Sequence, residues 1–168
     1  MNLPVGYKLR RLQREDYNRG FLRLQESLTR VGDISEADFN ERFDLLYEKH
    51  ADIFHTLVIE HEGVIIACGT VVLEFKFLFH RGIVGHIEDV AVLDVERGHN
   101  FGRSIITALD ELGRSLGAYK NSLACSEANR PFYEKCKLDC IALTLGGYSG
   151  GSVEMNHYFN DDAASIHV

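Results

Sequence analysis

One stretch of the chain constrains its fold more than any other, because a strand, a glycine-containing loop and a helix follow one another directly. The strand is predicted at Val84–Leu93, the loop at Arg97–Arg103 and the helix at Gly102–Leu116. The helix is amphipathic, since its apolar residues recur at spacings of four, three and four residues. Free backbone N–H groups and the helix dipole favour negative charge at such a helix start. The sequence therefore predicts a site for an anionic ligand at this loop.

The loop does not match the common phosphate-binding motifs of nucleotide-binding proteins. The chain contains no G-x-x-x-x-G-K-S/T, and no G-x-G-x-x-G follows a strand. Arg97, Asn100 and Gly102 instead have the spacing R-x-x-N-x-G. Asn is the non-glycine residue that best tolerates a positive φ angle, so we expect Asn100 to maintain a glycine-like turn. Taken alone, the loop is equally compatible with an ordinary surface turn before an amphipathic helix.

Length and composition limit the classes of protein to which this chain can belong. The 168 residues suit one domain, expected at 1–160 and followed by a disordered tail at 161–168. A net charge of −7 argues against a broad nucleic-acid surface, and no apolar run approaches the roughly 20 residues of a membrane helix. The four cysteines form no C-x-x-C pair and the eight histidines are scattered, which argues against a metal site. Free thiols in a reducing compartment, the cytoplasm, are expected.

The predicted order of elements is β-α-α-β-β-β-α-β-α-β, typical of a mixed α/β domain. Ser35 and Asp38 resemble a capping box that opens the second helix. The two strands after that helix are joined by a tight turn and should form an antiparallel hairpin. The remaining elements are, in chain order, a strand at Tyr7–Leu12, helices at Asp16–Leu28 and from Ser35 to about His50, strands at Ile53–Glu60 and Val64–Phe77, a loop at Leu78–Ile83, a strand at Lys120–Cys125, a helix at Asn129–Lys137 and, after a glycine-rich loop that begins near Leu143, a strand at Val153–Phe159.

Several segments at these positions carry a family resemblance. They are Ser27–Gly32 (Ser-Leu-Thr-Arg-Val-Gly), Gly85–Val90 (Gly-His-Ile-Glu-Asp-Val), Ala118–Lys120 (Ala-Tyr-Lys) and Pro131–Cys136 (Pro-Phe-Tyr-Glu-Lys-Cys). Together with the loop, they resemble the GNAT superfamily of N-acetyltransferases and, within it, the glucosamine 6-phosphate N-acetyltransferases. The resemblance covers roughly Tyr7 to Leu138. It implies the acyl-CoA N-acyltransferase fold, a central mixed and mostly antiparallel sheet flanked by helices, with acetyl-CoA as co-substrate and no metal.

The resemblance also implies an activity, the acetylation of glucosamine 6-phosphate on the route to UDP-N-acetylglucosamine. Acyl transfer needs an N–H group aimed at the developing oxyanion, and by resemblance a strand bulge at Val90 supplies it. Tyr133 matches the family tyrosine that protonates the leaving thiolate. Glu88 completes the implied catalytic set. The residues implied to bind acetyl-CoA are Val90, Ala91, Val92, Arg97, Gly98, His99, Asn100, Phe101, Gly102, Arg103 and Tyr133.

The implied substrate contacts come from several elements. Glu88 and Asp89 are adjacent, so their side chains should point to opposite faces of the strand unless a bulge intervenes. A sugar phosphate needs cations nearby, and Lys76 and Lys120 are the candidates. The full set implied by the resemblance is Thr29, Lys76, Glu88, Asp89, Val90, Tyr119, Lys120 and Tyr158.

Some positions depart from the family pattern. Ala124 stands where the family has an acidic residue, and Tyr158 where it has an arginine. Two alternatives therefore remain open: a GNAT paralogue that acts on another amine, and a catalytically weak subunit that binds acetyl-CoA or pairs with an active partner. The resemblance further implies a homodimer in which the last strand crosses between subunits. The competing expectation is that this strand packs on its own subunit.

Overall fold

The fold is built around one mixed sheet. The computed structural model describes residues 3–136, 139–141 and 152–159. In this part of the chain seven strands pair in the order β1-β2-β3-β4-β5-β7-β6, and all neighbours are antiparallel except β4 and β5. The strands are β1 (Tyr7–Arg11), β2 (Phe54–His61), β3 (Val64–Phe75), β4 (Ile83–Val92), β5 (Ala118–Ser126), β6 (Asp139–Ile141) and β7 (Ser152–Tyr158). The predicted mixed, mostly antiparallel sheet is confirmed.

Helices lie on both faces of this sheet. The α-helices are α1 (Phe21–Gln25), α2 (Glu36–Phe43), a one-turn segment α3 (Leu78–Arg81), α4 (Phe101–Ser115) and α5 (Arg130–Lys135). The capping box at the start of α2 is confirmed, since the Ser35 hydroxyl accepts from the Asp38 N–H and the Asp38 carboxylate accepts from the Ser35 N–H. A π-helical turn, Asp44–Lys49, continues α2.

The described elements differ from the predicted ones at a few places. The single helix predicted at Asp16–Leu28 is wrong: a 3-10 turn at Arg14–Tyr17 and α1 replace it, because Gly20 takes a φ of 85° between them. The predicted loop at Leu78–Ile83 includes the single turn α3, which is not a regular right-handed helix, because Phe79, His80 and Arg81 have left-handed backbone angles. Strand β6 was missed. The predicted glycine-rich loop and tail lie outside the described residues.

The two faces of the sheet have separate apolar cores. Helix α4 covers one face, and Ile105, Ile106 and Leu109 are fully buried against it. Helices α1 and α2 cover part of the other face, where Leu24 and Phe39 are buried. Burial of one such side chain contributes about 1.5–3 kcal/mol. The amphipathic stripe predicted for the helix after the loop thus faces the core as expected.

A buried amide joins three elements at the base of the β4–β5 pair. Asn121 occupies the space between Gly85 and Gly113, since a Cβ on either glycine would collide with its side chain. Its Nδ2 donates to the backbone oxygen of Asp110 at 3.2 Å and to the carboxylate of Asp110 at 3.1 Å. The other carboxylate oxygen of Asp110 lies 2.7 Å from Nδ1 of His157. This chain of contacts holds β5, α4 and β7 together. Within the described ranges, no helix is long and apolar enough to cross a membrane.

A histidine in β2 is buried beside an arginine. His55 is 3% exposed, and Arg11 donates to its Nδ1 over 3.0 Å, so the neutral ring carries its proton on Nε2. Burial and, next, the charge of Arg11 lower the pKa of His55 from its usual 6.5.

We therefore predict that acidification weakens the fold. Because His55 binds a proton more readily in the unfolded chain, its contribution is complete above pH 6.5 and is lost as pH falls through the lower folded pKa. Urea unfolding between pH 7.5 and 5 should show a smaller loss of unfolding free energy in His55→Leu than in the natural chain. Equal losses in both proteins would contradict this account.

Candidate active site

A bulge interrupts β4 at the centre of the candidate site. Glu88 pairs with Thr70 and Ala91 with Cys68, so Asp89 and Val90 together face the single residue Gly69. Asp89 takes a positive φ of 54°. The bulge that the resemblance implied at Val90 is therefore present.

Helix α4 approaches the sheet closely opposite the bulge. A Cβ added to Gly69 would lie 2.7 Å from Cγ2 of Ile105 and 2.7 Å from Cδ1 of Leu109. Such distances are too short for packed carbon atoms, so a glycine is needed at this position. Helix α4 thus lies directly over the bulged residues and backs the site.

Strands β4 and β5 separate next to the bulge. Their parallel pairing runs from Ile83↔Ala118 to His86↔Ser122 and continues no further in the described chain. Beyond this point β4 stays paired with β3, and β5 with β7. A pocket of about 190 Å³ lies in the opening, lined by Leu28, Ile87, Glu88, Asp89, Val90, Leu123, Ala124 and Tyr133. Because of the bulge, Glu88 and Asp89 line the same pocket, and the expectation of opposite faces for a regular strand does not apply.

The loop between β4 and α4 has the backbone of an anion cradle. Gly98 has a φ of 89° and Asn100 a φ of 65°, which confirms the glycine-like turn predicted for Asn100. The first helical hydrogen bond runs from the Ser104 N–H to the Asn100 carbonyl at 2.9 Å. The N–H groups of the three residues before Ser104 lie ahead of that bond and have no helical acceptor. These are Phe101, Gly102 and Arg103.

The side chains of the loop stabilise its own shape. Arg97 pairs with Asp94 at 2.8 Å, and Nδ1 of His99 lies 3.2 Å from the carbonyl of Glu96. Phe101 is buried, and its ring centroid lies 4.6 Å from that of Tyr7 in β1. The backbone N–H groups, rather than these paired side chains, are therefore the main donors that the loop offers to a ligand.

Helix α5 brings a tyrosine to the pocket. Phe132 covers the start of α4, since a Cβ on Gly102 would lie 3.1 Å from its Cζ. Tyr133, the next residue, lines the pocket beside Val90. Burial raises the pKa of Tyr133 above its usual 10, and Cys125 and Cys136 raise it further. The hydroxyl is therefore protonated at neutral pH and can donate a hydrogen bond or a proton.

The sheet face opposite α4 carries a polar surface beyond α1 and α2. We call it the open face and define it by six side chains from β3, β4, β5 and β7: Glu74, His86, Lys120, Ser122, Glu154 and Asn156. His86 lies 2.9 Å from the carboxylate of Glu74 through Nε2 and 3.2 Å from the hydroxyl of Ser122 through Nδ1. Lys120 donates to Asn156 at 3.0 Å. The polar groups on this face form two hydrogen-bonded sets, Glu74–His86–Ser122 and Lys120–Asn156–Glu154, both suited to hydroxyl and phosphate groups.

Four of the substrate residues implied by the resemblance lie together at one end of the open face. Lys120 has its Nζ 5.2 Å from the ring centroid of Tyr158, and that ring is 6.5 Å from Tyr119. Lys76 pairs with Glu74 at 2.5 Å and acts electrostatically on Tyr119. Burial raises the pKa of Tyr119. Thr29 lies apart from this group, exposed and next to Leu28, which lines the pocket.

Sequence reasoning missed the polar residues in the middle of the open face. His86, Ser122 and Asn156 were not predicted as site residues, although Ser122 and Asn156 are buried. Alternation along β5 could have indicated Ser122, because Lys120, Ser122 and Ala124 must share one face. No group of three or more potential metal ligands occurs among the residues that the structure describes.

Comparisons with known proteins agree with this geometry. The family model described as "Acetyltransferase (GNAT) family" matches residues 8–137. The glucosamine 6-phosphate N-acetyltransferase of Candida albicans is 37% identical over 156 residues, which cover 92% of this chain and 97% of that protein. A crystal structure of glucosamine-6-phosphate N-acetyltransferase from Arabidopsis thaliana has a TM-score of 0.80 at 37% identity, covering 84% of this chain and 97% of that one. A putative acetyltransferase from Salmonella typhimurium, solved with its cofactor acetyl-CoA, shares the fold at 14% identity and a TM-score of 0.70, covering 93% of this chain and 95% of that one.

Proposed function

We propose that this chain, which belongs to the GNAT acetyltransferase family and within it to the glucosamine 6-phosphate N-acetyltransferases, transfers the acetyl group of acetyl-CoA to the amine of glucosamine 6-phosphate. The observation that carries the proposal is the opening between β4 and β5, which leads from a helix start with free N–H groups to a pocket lined by Tyr133. The product, N-acetylglucosamine 6-phosphate, would serve UDP-N-acetylglucosamine synthesis. The two alternatives, another amine or a weakly active partner subunit, are not favoured by relatives of this identity and coverage.

We infer that acetyl-CoA binds along the opening. Its pyrophosphate binds the N–H groups of the loop Arg97–Arg103, where two positive φ angles and the helix dipole favour an anion. Its pantetheine arm, which carries amides, lies along the edge of β4 at Val90, Ala91 and Val92, where β5 has moved away. The thioester then reaches the pocket between the bulge and Tyr133.

The reaction follows from these positions. The neutral amine nitrogen attacks the thioester carbon, a C–N bond forms, and the backbone N–H at Val90 stabilises the resulting oxyanion. The C–S bond then breaks, the thiolate takes the hydroxyl proton of Tyr133, and the nitrogen loses its extra proton to solvent, from which Tyr133 is reprotonated. The amine needs modest help, since neighbouring hydroxyls bring its pKa towards roughly 8, as for an α-amino group.

The amino sugar lies on the open face. Lys76 and Lys120 supply positive charge for the phosphate, and the partners of Lys120 leave it 18% exposed. Tyr158 adds an aromatic surface beside Lys120 where the family has arginine. Glu88 and Asp89, both on the pocket wall, accept hydrogen bonds from sugar hydroxyls. Thr29 contributes from the segment that follows α1.

A charge introduced at Gly102 tests the loop. Gly102→Asp places a carboxylate against the pyrophosphate and should weaken acetyl-CoA binding about 10-fold or more through charge repulsion. Gly102→Ala is the matched control, because it adds the same Cβ beside Phe132 without charge. Isothermal titration of both variants with acetyl-CoA isolates the charge effect. Equal affinity in the two variants would remove the pyrophosphate from this loop.

Removal of the Tyr133 hydroxyl tests its role toward the leaving group. Tyr133→Phe removes the hydroxyl and little else, so kcat for glucosamine 6-phosphate should fall about 100-fold. Release of the coenzyme A thiol, measured at saturating substrates over a panel of amines, tests both this role and the substrate. Tyr17→Phe is the control, since its hydroxyl contacts the Ile34 carbonyl, away from the pocket. Full activity of Tyr133→Phe would exclude the hydroxyl from the reaction.

An exposed apolar cluster bears on assembly. Three large apolar side chains near the β3–β4 connection are exposed, at 58% for Phe75, 99% for Phe77 and 67% for Leu78. Clustered apolar exposure of this kind is typical of an interaction surface. We propose that the chain forms a homodimer, although β7 pairs with β5 of its own chain and so completes the sheet without crossing. Light scattering at micromolar concentration should give twice the 19.0 kDa chain mass. A mass of one chain would contradict it.

A further inference from the structure

A carboxylate from β7 lies across the sheet from the site's alanine. Ala124 lines the pocket but offers no polar group to a substrate amine. The register pairs Ala124 with Glu154. Directly opposed residues of antiparallel strands share a face, with Cβ atoms about 4.5–5.5 Å apart. Glu154 therefore lies on the same face as Ala124, beside the pocket whose lining includes the alanine.

The carboxylate of Glu154 is held in place by its neighbours. Asn156 donates from Nδ2 to its Oε1 at 3.2 Å, and Nζ of Lys120 lies 3.9 Å from the same oxygen. Asn156 is 1% exposed and is itself fixed, because its Oδ1 accepts from Lys120. The side chain of Glu154 stays 38% exposed, so a ligand on the open face can reach it.

A second carboxylate lies on the other side of the alanine. The parallel register brings His86 beside Ser122, and two residues further along each strand come Glu88 and Ala124, which line one pocket. The small side chain of Ala124 thus leaves room between Glu88 on β4 and Glu154 on β7. Within the described residues no hydrogen bond or ion pair orients Glu88, whereas two contacts orient Glu154.

We propose that Glu154 binds the substrate ammonium and accepts its proton, which leaves the neutral amine aimed at the thioester; this inference rests on the proposed function. One N–H bond breaks and one O–H bond forms on the carboxylate, and the proton then passes to solvent. The alanine provides the space that the amine occupies. Position 154 supplies the acid and position 124 the space beside it. Only the register between β5 and β7 brings these two positions together.

The test moves the carboxylate across the strand pair. Glu154→Gln retains the shape and the acceptor for Asn156, and should lower kcat/KM for glucosamine 6-phosphate about 100-fold. The remaining activity should need a higher pH, while the Kd of acetyl-CoA stays unchanged. Adding Ala124→Asp to Glu154→Gln returns a carboxylate to the same space and should recover at least about 10-fold. Glu127→Gln, an exposed acid in the turn after β5, is the control and should retain full activity.

The outcomes separate the two claims. If the natural chain does not acetylate glucosamine 6-phosphate, the proposed function is overturned. If it does so and Glu154→Gln keeps kcat/KM within twofold with an unchanged pH profile, only the role of Glu154 is overturned. Thermal melting of each variant controls for folding. If Glu154→Gln has a lower melting temperature than the natural chain, Glu154→Asp provides the same test, because it keeps the charge but shortens the side chain. An unchanged kcat/KM in Glu154→Asp would contradict the proposal. A lower kcat/KM with normal acetyl-CoA affinity would support it.

Discussion

The site depends on one irregularity in the sheet, the extra residue that β4 accommodates at Asp89–Val90 opposite Gly69. A bulge bends and twists its strand, and here β4 and β5 stop pairing just before it. The opening, the shared pocket of Glu88 and Asp89, and the free edge of β4 all follow from that divergence. Gly69 makes the close contact possible, because a Cβ there would lie only 2.7 Å from side-chain atoms of Ile105 and Leu109 in α4.

Local positive groups, rather than the net charge of the chain, favour the proposed anionic ligands. The chain carries −7 overall, yet the proposed ligands are anionic at both ends of the site. At one end the charge is met by backbone N–H groups at the start of α4 and the helix dipole, which need no basic side chain. At the other end Lys76 and Lys120 provide cations, each already beside an acceptor, Glu74 or Asn156. Local donors of this kind select a small anion without attracting polyanions in general.

Short-range patterns in the sequence predicted much of the fold. Features that depend on pairing between distant strands were missed. The strand–loop–helix unit, the hairpin and the left-handed turn at Asn100 depend on spacing and backbone preference, which neighbouring residues reveal. The break between the first two helical segments depends on the positive φ angle of Gly20, which the sequence alone does not reveal. Strand β6 has only three residues, which is too short for an alternating pattern to be recognised. Opposition of Ala124 and Glu154, 30 positions apart, depends on the register between β5 and β7. No local pattern contains that register.

The central claim is that the free edge of β4 and the start of α4 together bind acetyl-CoA through backbone N–H groups. Hydrogen–deuterium exchange with and without saturating acetyl-CoA tests this directly, because it reads those N–H groups themselves. The account predicts slower exchange in peptides covering Val90–Val92 and Phe101–Arg103, with no change in β2, which lies away from the opening. Unchanged exchange in both segments, while titration shows that acetyl-CoA is bound, would contradict it.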